Sequence, residues 1–156
     1  MPVTQRRTIL CMFDRYTERA RLSILFAHKF VSEYGSTTLG TEHMLLGILA
    51  ADPSVIVLLL PSKNTEEIRA EVKQAMVVKP AIPATVDIPL SNEGAQILTF
   101  ASEEKHALRH RRVDIAHLIA GMLREDNGVA GQILRSAGLS LAAVRQHLRL
   151  GEAETE

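Results

Sequence analysis

The stretch Leu39-Gly40-Thr41-Glu42-His43-Met44-Leu45-Leu46-Gly47-Ile48-Leu49 reads as the start of a buried helix with a polar, charged tip. Gly40 permits a sharp entry. Thr41 is placed to cap the helix by accepting a backbone N–H. Glu42 falls in the first turn, where a negative charge suits the positive end of the helix dipole. Behind the tip nearly every residue is apolar, so the helix belongs inside a core. A buried helix whose N-terminus reaches the surface is also a ready anion site.

Working outward, the stretch recurs at a constant offset of 74 residues. His43 maps to His117, Gly47 to Gly121, Phe26 to Phe100, Ala27 to Ala101, Leu49 to Leu123 and Val55 to Val129. Met44, Leu45 and Ile48 land on Leu118, Ile119 and Met122, and no gap is needed. The chain is a tandem duplication. Its 156 residues suit one domain, whereas a half of about 70 residues would have a thin core alone. The expected fold is all-α: eight helices in two pseudo-twofold-related four-helix repeats, residues 13–78 and 90–150, packed as one domain over 13–150.

The helices follow from periodicity and punctuation. Thr17 caps the first, which runs over 18–34 with Leu22, Leu25, Phe26 and Phe30 on its apolar face and Gly35 as its stop. The second runs from Thr41 to about Ala50, and Asp52-Pro53 opens a short third. Asn64 or Thr65 caps the fourth, which extends to about Val78 and turns Ile68, Val72, Ala75 and Met76 inward. Residues 79–89, with Pro80, Pro83 and Pro89, form an extended linker. Ser91 or Asn92 starts the fifth helix, running to about Leu108. Asp114 caps the sixth, residues 129–137 form the seventh before Gly138, and Ser140 caps the eighth, which ends near Leu150-Gly151. Residues 1–12 read as a flexible arm and 151–156 as a disordered acidic tail.

Composition narrows the function. Lys plus Arg and Asp plus Glu are 18 each, so no global charge draws the chain to nucleic acid or a membrane. No apolar run approaches the roughly 20 residues that span a bilayer. A single cysteine, Cys11, rules out an internal disulfide, and without a signal peptide the expected location is cytoplasmic. No phosphate-cradling Gly-rich loop, nucleophile elbow or paired-histidine zinc motif is present, so no cofactor or metal is expected.

Of the six histidines, His43 and His117 recur at one repeat position, where each is read as holding the preceding loop by a hydrogen bond. Arg109-His110-Arg111-Arg112 reads as a solvated basic loop, and Glu103-Glu104-Lys105 as an exposed helix face. Glu42 has two readings. One is charge–dipole support of its helix. The other is a carboxylate that receives a guanidinium while N–H groups and the hydroxyls of Thr17 and Thr41 receive an anion. A hydrolase using Glu42 with His43 or His28 is disfavoured, because the adjacent Glu42 and His43 point about 100° apart around a helix.

Met12-Phe13-Asp14-Arg15-Tyr16-Thr17-Glu18-Arg19-Ala20 and Leu39-Gly40-Thr41-Glu42-His43-Met44-Leu45-Leu46-Gly47 resemble the two signatures of the Clp N-terminal (Clp repeat) domain, most nearly that of ClpC-class AAA+ unfoldases. The resemblance covers about residues 12–150 and makes Met12 an alternative start. It implies a non-enzymatic module that binds adaptors and substrates of a Clp unfoldase. It further implies recognition of phosphoarginine at two repeat-related sites, each with a helix-tip glutamate and a hydroxyl residue at the start of the repeat's first helix. Carried over, the first site is Thr17 with Glu42. The second is Ser91 with Ala116, where the carboxylate is missing and Gly40-Thr41 has become Asp114-Ile115; either Asp114 partly replaces the lost charge or the second site is lost. The family's unfoldases continue into ATPase domains, whereas this chain ends at Glu156, so a stand-alone module is expected. The alternative function is a regulator or scavenger that uses the fold for an unrelated partner.

Overall fold

The computed structural model describes residues 15–83 and 88–151. Cys11, residues 12–14 of the first signature, the arm at 1–12 and positions 152–156 of the tail lie outside them. The described residues form eight helices: α1 (Glu18–Glu33), α2 (Thr41–Ala51), α3 (Ser54–Leu59), α4 (Thr65–Ala75), α5 (Asn92–Ala107), α6 (Ile115–Arg124), α7 (Val129–Ser136) and α8 (Leu141–Leu150). The fold is all-α, as the repeat pattern requires. No helix among them is long and apolar enough to cross a membrane.

Most ends carry the expected punctuation. Thr17, Asn64, Ser91 and Ser140 each accept a first-turn N–H, from Ala20, Glu67, Gly94 and Ala143 respectively. Gly35 follows α1 at φ +65°, in the left-handed region that suits glycine. The repeat-related position after α5 is Arg109, at φ 58°.

The packing corrects two expected faces. Along α1, Ala20, Ser23, Ile24, Ala27 and Val31 are buried, while Leu22 and Leu25 are exposed. Small residues win the inner face because α2 lies close: a Cβ on Gly47 would stand 2.1 Å from the Ser23 carbonyl oxygen. In the second copy a Cβ on Gly121 would stand 2.6 Å from the Ile97 carbonyl oxygen. On α4, Ile68 and Val72 are buried and Met76 is half-buried, but Ala75 is exposed and the helix stops there, leaving Val77 and Val78 exposed.

Both repeats contribute to one continuous apolar core, in which α2 and α6 are buried on nearly every face. The repeats also exchange backbone hydrogen bonds at two matching places. Ahead of α1, Thr17 N–H donates to the Val113 carbonyl (2.9 Å) and Val113 N–H to the Arg15 carbonyl (2.7 Å). Ahead of α5, Ser91 N–H donates to the Leu39 carbonyl (2.9 Å) and Leu39 N–H to the Pro89 carbonyl (2.8 Å). These are two parallel bridges, Tyr16 to Val113 and Leu39 to Leu90, related by the same 74-residue offset. Each repeat's first helix is thereby stitched to the other repeat's second.

Candidate functional site

The crossed bridges decide which tips meet. Thr17, at the head of α1, lies against Asp114, at the head of α6, and its hydroxyl donates to Asp114 Oδ1 at 2.8 Å. Ser91, at the head of α5, lies against Leu39, just ahead of α2. The structure thus sets Thr17 beside Asp114 and Ser91 beside Leu39, whereas the expected pairings were Thr17 with Glu42 and Ser91 with Ala116. The hydroxyl of one repeat faces the second helix of the other.

At the α2 tip, Gly40 is the N-cap, in an extended conformation (φ −98°, ψ −178°) that other residues also adopt. Its missing side chain matters for space, because a Cβ there would stand 2.8 Å from both Glu42 carboxylate oxygens. The Glu42 side chain folds back over Gly40 and remains 28 % exposed, so it is not sealed in. Thr41 does not cap its own helix. It is buried, and its hydroxyl accepts from Ala130 N–H at 3.2 Å, capping α7 of the other repeat.

At the α6 tip, Asp114 does not stand in for the lost carboxylate. It is buried, accepts from Ile115 N–H (2.8 Å), and takes both Nε and an Nη of Arg19. Burial alone would raise its pKa. Hydrogen bonds from Arg19, Ile115 and Thr17, with the Arg19 charge, hold it below the usual carboxylate range. Arg19 also reaches Asp52 at 3.1 Å, so the charges are satisfied within the fold.

Both recurring histidines reach back as expected. Gly40 N–H donates to His43 Nδ1 (2.9 Å) and Asp114 N–H to His117 Nδ1 (2.8 Å). The other nitrogen, Nε2, meets Ser36 Oγ at 3.0 Å in the first copy and His110 Nδ1 at 2.8 Å in the second. Burial, reinforced by the neighbouring His110, lowers the His117 pKa to about 4, so the ring is neutral. A neutral His117 that accepts at Nδ1 carries its proton on Nε2 and donates to His110 Nδ1. A neutral His110 must then carry its own proton on Nε2. That nitrogen is buried and has no partner among the described residues.

The basic cluster is not a plain solvated loop. A cleft of about 1150 Å³ opens between the head of α1 and the end of α5 with the loop after it. The head of α1 supplies Arg15, Thr17, Glu18 and Arg21. The other wall supplies Lys105, His106, His110, Arg111 and Arg112. Glu104 and Lys105, expected on an exposed face, are about 5 % and 6 % accessible. Glu104 turns away to Arg145 (2.8 and 3.0 Å) and Arg124 (3.1 Å). Lys105 stays with the cleft. Spacing along one loop could not show this wall, because half of it comes from α1.

The described residues thus form an all-α, duplicated fold whose helix tips are stitched across its seam. The sequence profile of the Clp repeat (R) N-terminal domain matches residues 15–137 and again 89–154, and the chain belongs to that family. The chaperone protein ClpC1 of Arabidopsis thaliana chloroplasts is 30% identical over 142 residues, 90% of this chain and 15% of that protein. The chain thus spans under a fifth of the length of such relatives. Among solved structures, the N-terminal domain of the ClpD chaperone of Arabidopsis thaliana is 26% identical at TM-score 0.69, covering 87% of this chain and 99% of that one. The Hsp104 N-terminal domain of Candida albicans shares the fold at TM-score 0.70 and 19% identity, covering 88% and 91%.

Proposed function

We propose that the chain is a non-catalytic module that binds substrates or adaptors of a Clp unfoldase, and that its phosphoarginine site pairs Glu42 with the head of α5. The observation that carries this reading is the partly exposed Glu42 carboxylate, folded over Gly40 beside the Ser91-capped start of α5. The carboxylate suits a guanidinium. The first-turn N–H groups of a 16-residue helix and the Ser91 hydroxyl suit a phosphoryl group. Thr17, Gly40 and Asp114 shape the two tips, and Asp114 is spent on Arg19. At the opposite tip the position matching Glu42 is Ala116, and Asp114 is occupied by Arg19.

Calorimetric titration with a phosphoarginine peptide tests this. Wild type is expected to bind at one site, and Glu42→Ala and Ser91→Ala are each expected to weaken binding about tenfold or more, the loss of one charge-assisted hydrogen bond. Unchanged binding in Glu42→Ala would remove the tip from the reading. Pull-downs that recover a partner unrelated to Clp components would favour a regulator or scavenger instead.

A further inference from the structure

The two heads of the fold are chemically unlike. At the α1 head the cleft gathers Arg15, Arg21, Lys105, Arg111 and Arg112 against one carboxylate, Glu18. The positions 74 residues away are Pro89, Ala95, Val31, Thr37 and Thr38. All five cations fall on one side of a chain whose total charge is zero. Among the described residues no carboxylate pairs with Arg15, Arg21, Lys105 or Arg111.

The deep end has two further properties. Lys105 is only 6 % exposed as a residue, lines the cleft, and has no carboxylate partner among the described residues. His110, also 6 % exposed, holds a proton on Nε2 with no acceptor. A ligand carboxylate in the cleft would give Lys105 the counter-ion that the described residues do not supply. The volume, about 1150 Å³, exceeds the roughly 300–1000 Å³ of small-molecule pockets. The wall has no Phe, Tyr or Trp on which a nucleobase could stack. Glu18 would repel a pure polyanion and can accept N–H groups, which a polypeptide backbone brings.

We propose that this cleft docks an acidic polypeptide segment, its carboxylates met by Lys105, Arg15, Arg21 and Arg111. The site is separate from the Glu42 tip and does not depend on phosphoarginine. It would let the module hold an unmodified acidic stretch of a client.

The probe is a fluorescent peptide alternating Glu and Asp with Gly and Ser, titrated into the full chain, beside its Gln/Asn counterpart. The acidic peptide is expected to bind, the neutral one not, and the affinity to fall steeply between low and high salt. Arg21→Glu with Arg111→Glu is expected to weaken binding at least about tenfold. Lys105→Met is expected to weaken it less, while Arg109→Ala, outside the cleft, and Glu42→Ala leave it unchanged. The His110 Nε2–H resonance is expected to shift on titration. Circular dichroism melts confirm that the variants fold. No binding at low salt, or binding indifferent to the double charge reversal, would overturn the proposal. Inorganic polyphosphate or single-stranded DNA of matched charge binding the cleft more tightly than the peptide would overturn the choice of ligand.

Discussion

Arg109 adopts φ 58° where the first repeat has Gly35 at φ +65°. A side chain in that region costs about 1–2 kcal/mol, which glycine avoids at the expense of a more mobile unfolded chain. Arg109→Gly is therefore expected to stabilise the protein by roughly 0.5–1 kcal/mol in urea denaturation. The histidines set an acid limit. The His117 pKa lies at about 4 in the folded state, below the ordinary 6.5, and burial lowers that of His43 despite the nearby Glu42. A group whose folded pKa is lowered in this way stays neutral in the fold while the unfolded chain takes up a proton. Stability is complete above pH 6.5 and falls as the pH drops toward 4. At pH 5 the His117 contribution alone is a loss of about 2 kcal/mol. His117→Asn, which keeps an acceptor for Asp114 N–H, is expected to flatten the decline; an unchanged slope would assign it to other groups.

At the scale of helices, glycine sets how closely pairs approach. A Cβ at Gly47 would lie 2.1 Å from the Ser23 oxygen and 3.0 Å from the Ala27 nitrogen, both backbone atoms that cannot swing aside. Gly47→Ala is expected to destabilise by about 3 kcal/mol or more, and Gly121→Ala, with 2.6 Å available, by less. Equal losses in urea midpoints would show that the two helix pairs are not held at different separations. These glycines were legible as repeat matches, and the caps Thr17, Ser91, Asp114 and Ser140 were legible because local chemistry fixes them. The α1 face was not. Leu22 and Leu25 carry the hydrophobicity, yet Ala20, Ser23 and Ala27 are turned inward because only small side chains admit Gly47. Thr41 likewise sits where an N-cap belongs, and only the tertiary fold shows its hydroxyl serving Ala130 on α7.

Across the whole molecule, symmetry was readable and its crossing was not. The 74-residue offset reveals two copies, but no spacing shows that Thr17 meets Asp114 or that Ser91 meets Leu39. For the same reason the basic cleft was hidden: its two walls are about 90 residues apart in the chain. The bridges have a further consequence for stability. A fragment ending within 84–87 leaves the first repeat without the Val113 and Leu90 partners of Tyr16 and Leu39. Residues 1–84 and 88–156, produced separately, are each expected to show weak or no cooperative melting, and their equimolar mixture to recover it. Independent, full-strength transitions in both fragments would refute that dependence.

The reciprocal bridges bear on ancestry. A chain of one repeat would expose the lips of both bridges, and a second identical chain, turned by half a rotation, would offer the matching edges. Fusion of two such chains replaces an encounter between molecules with a permanent tether, so assembly no longer depends on concentration. Once fused, the halves need no longer be identical, and one end could gather arginines while the other kept its glutamate.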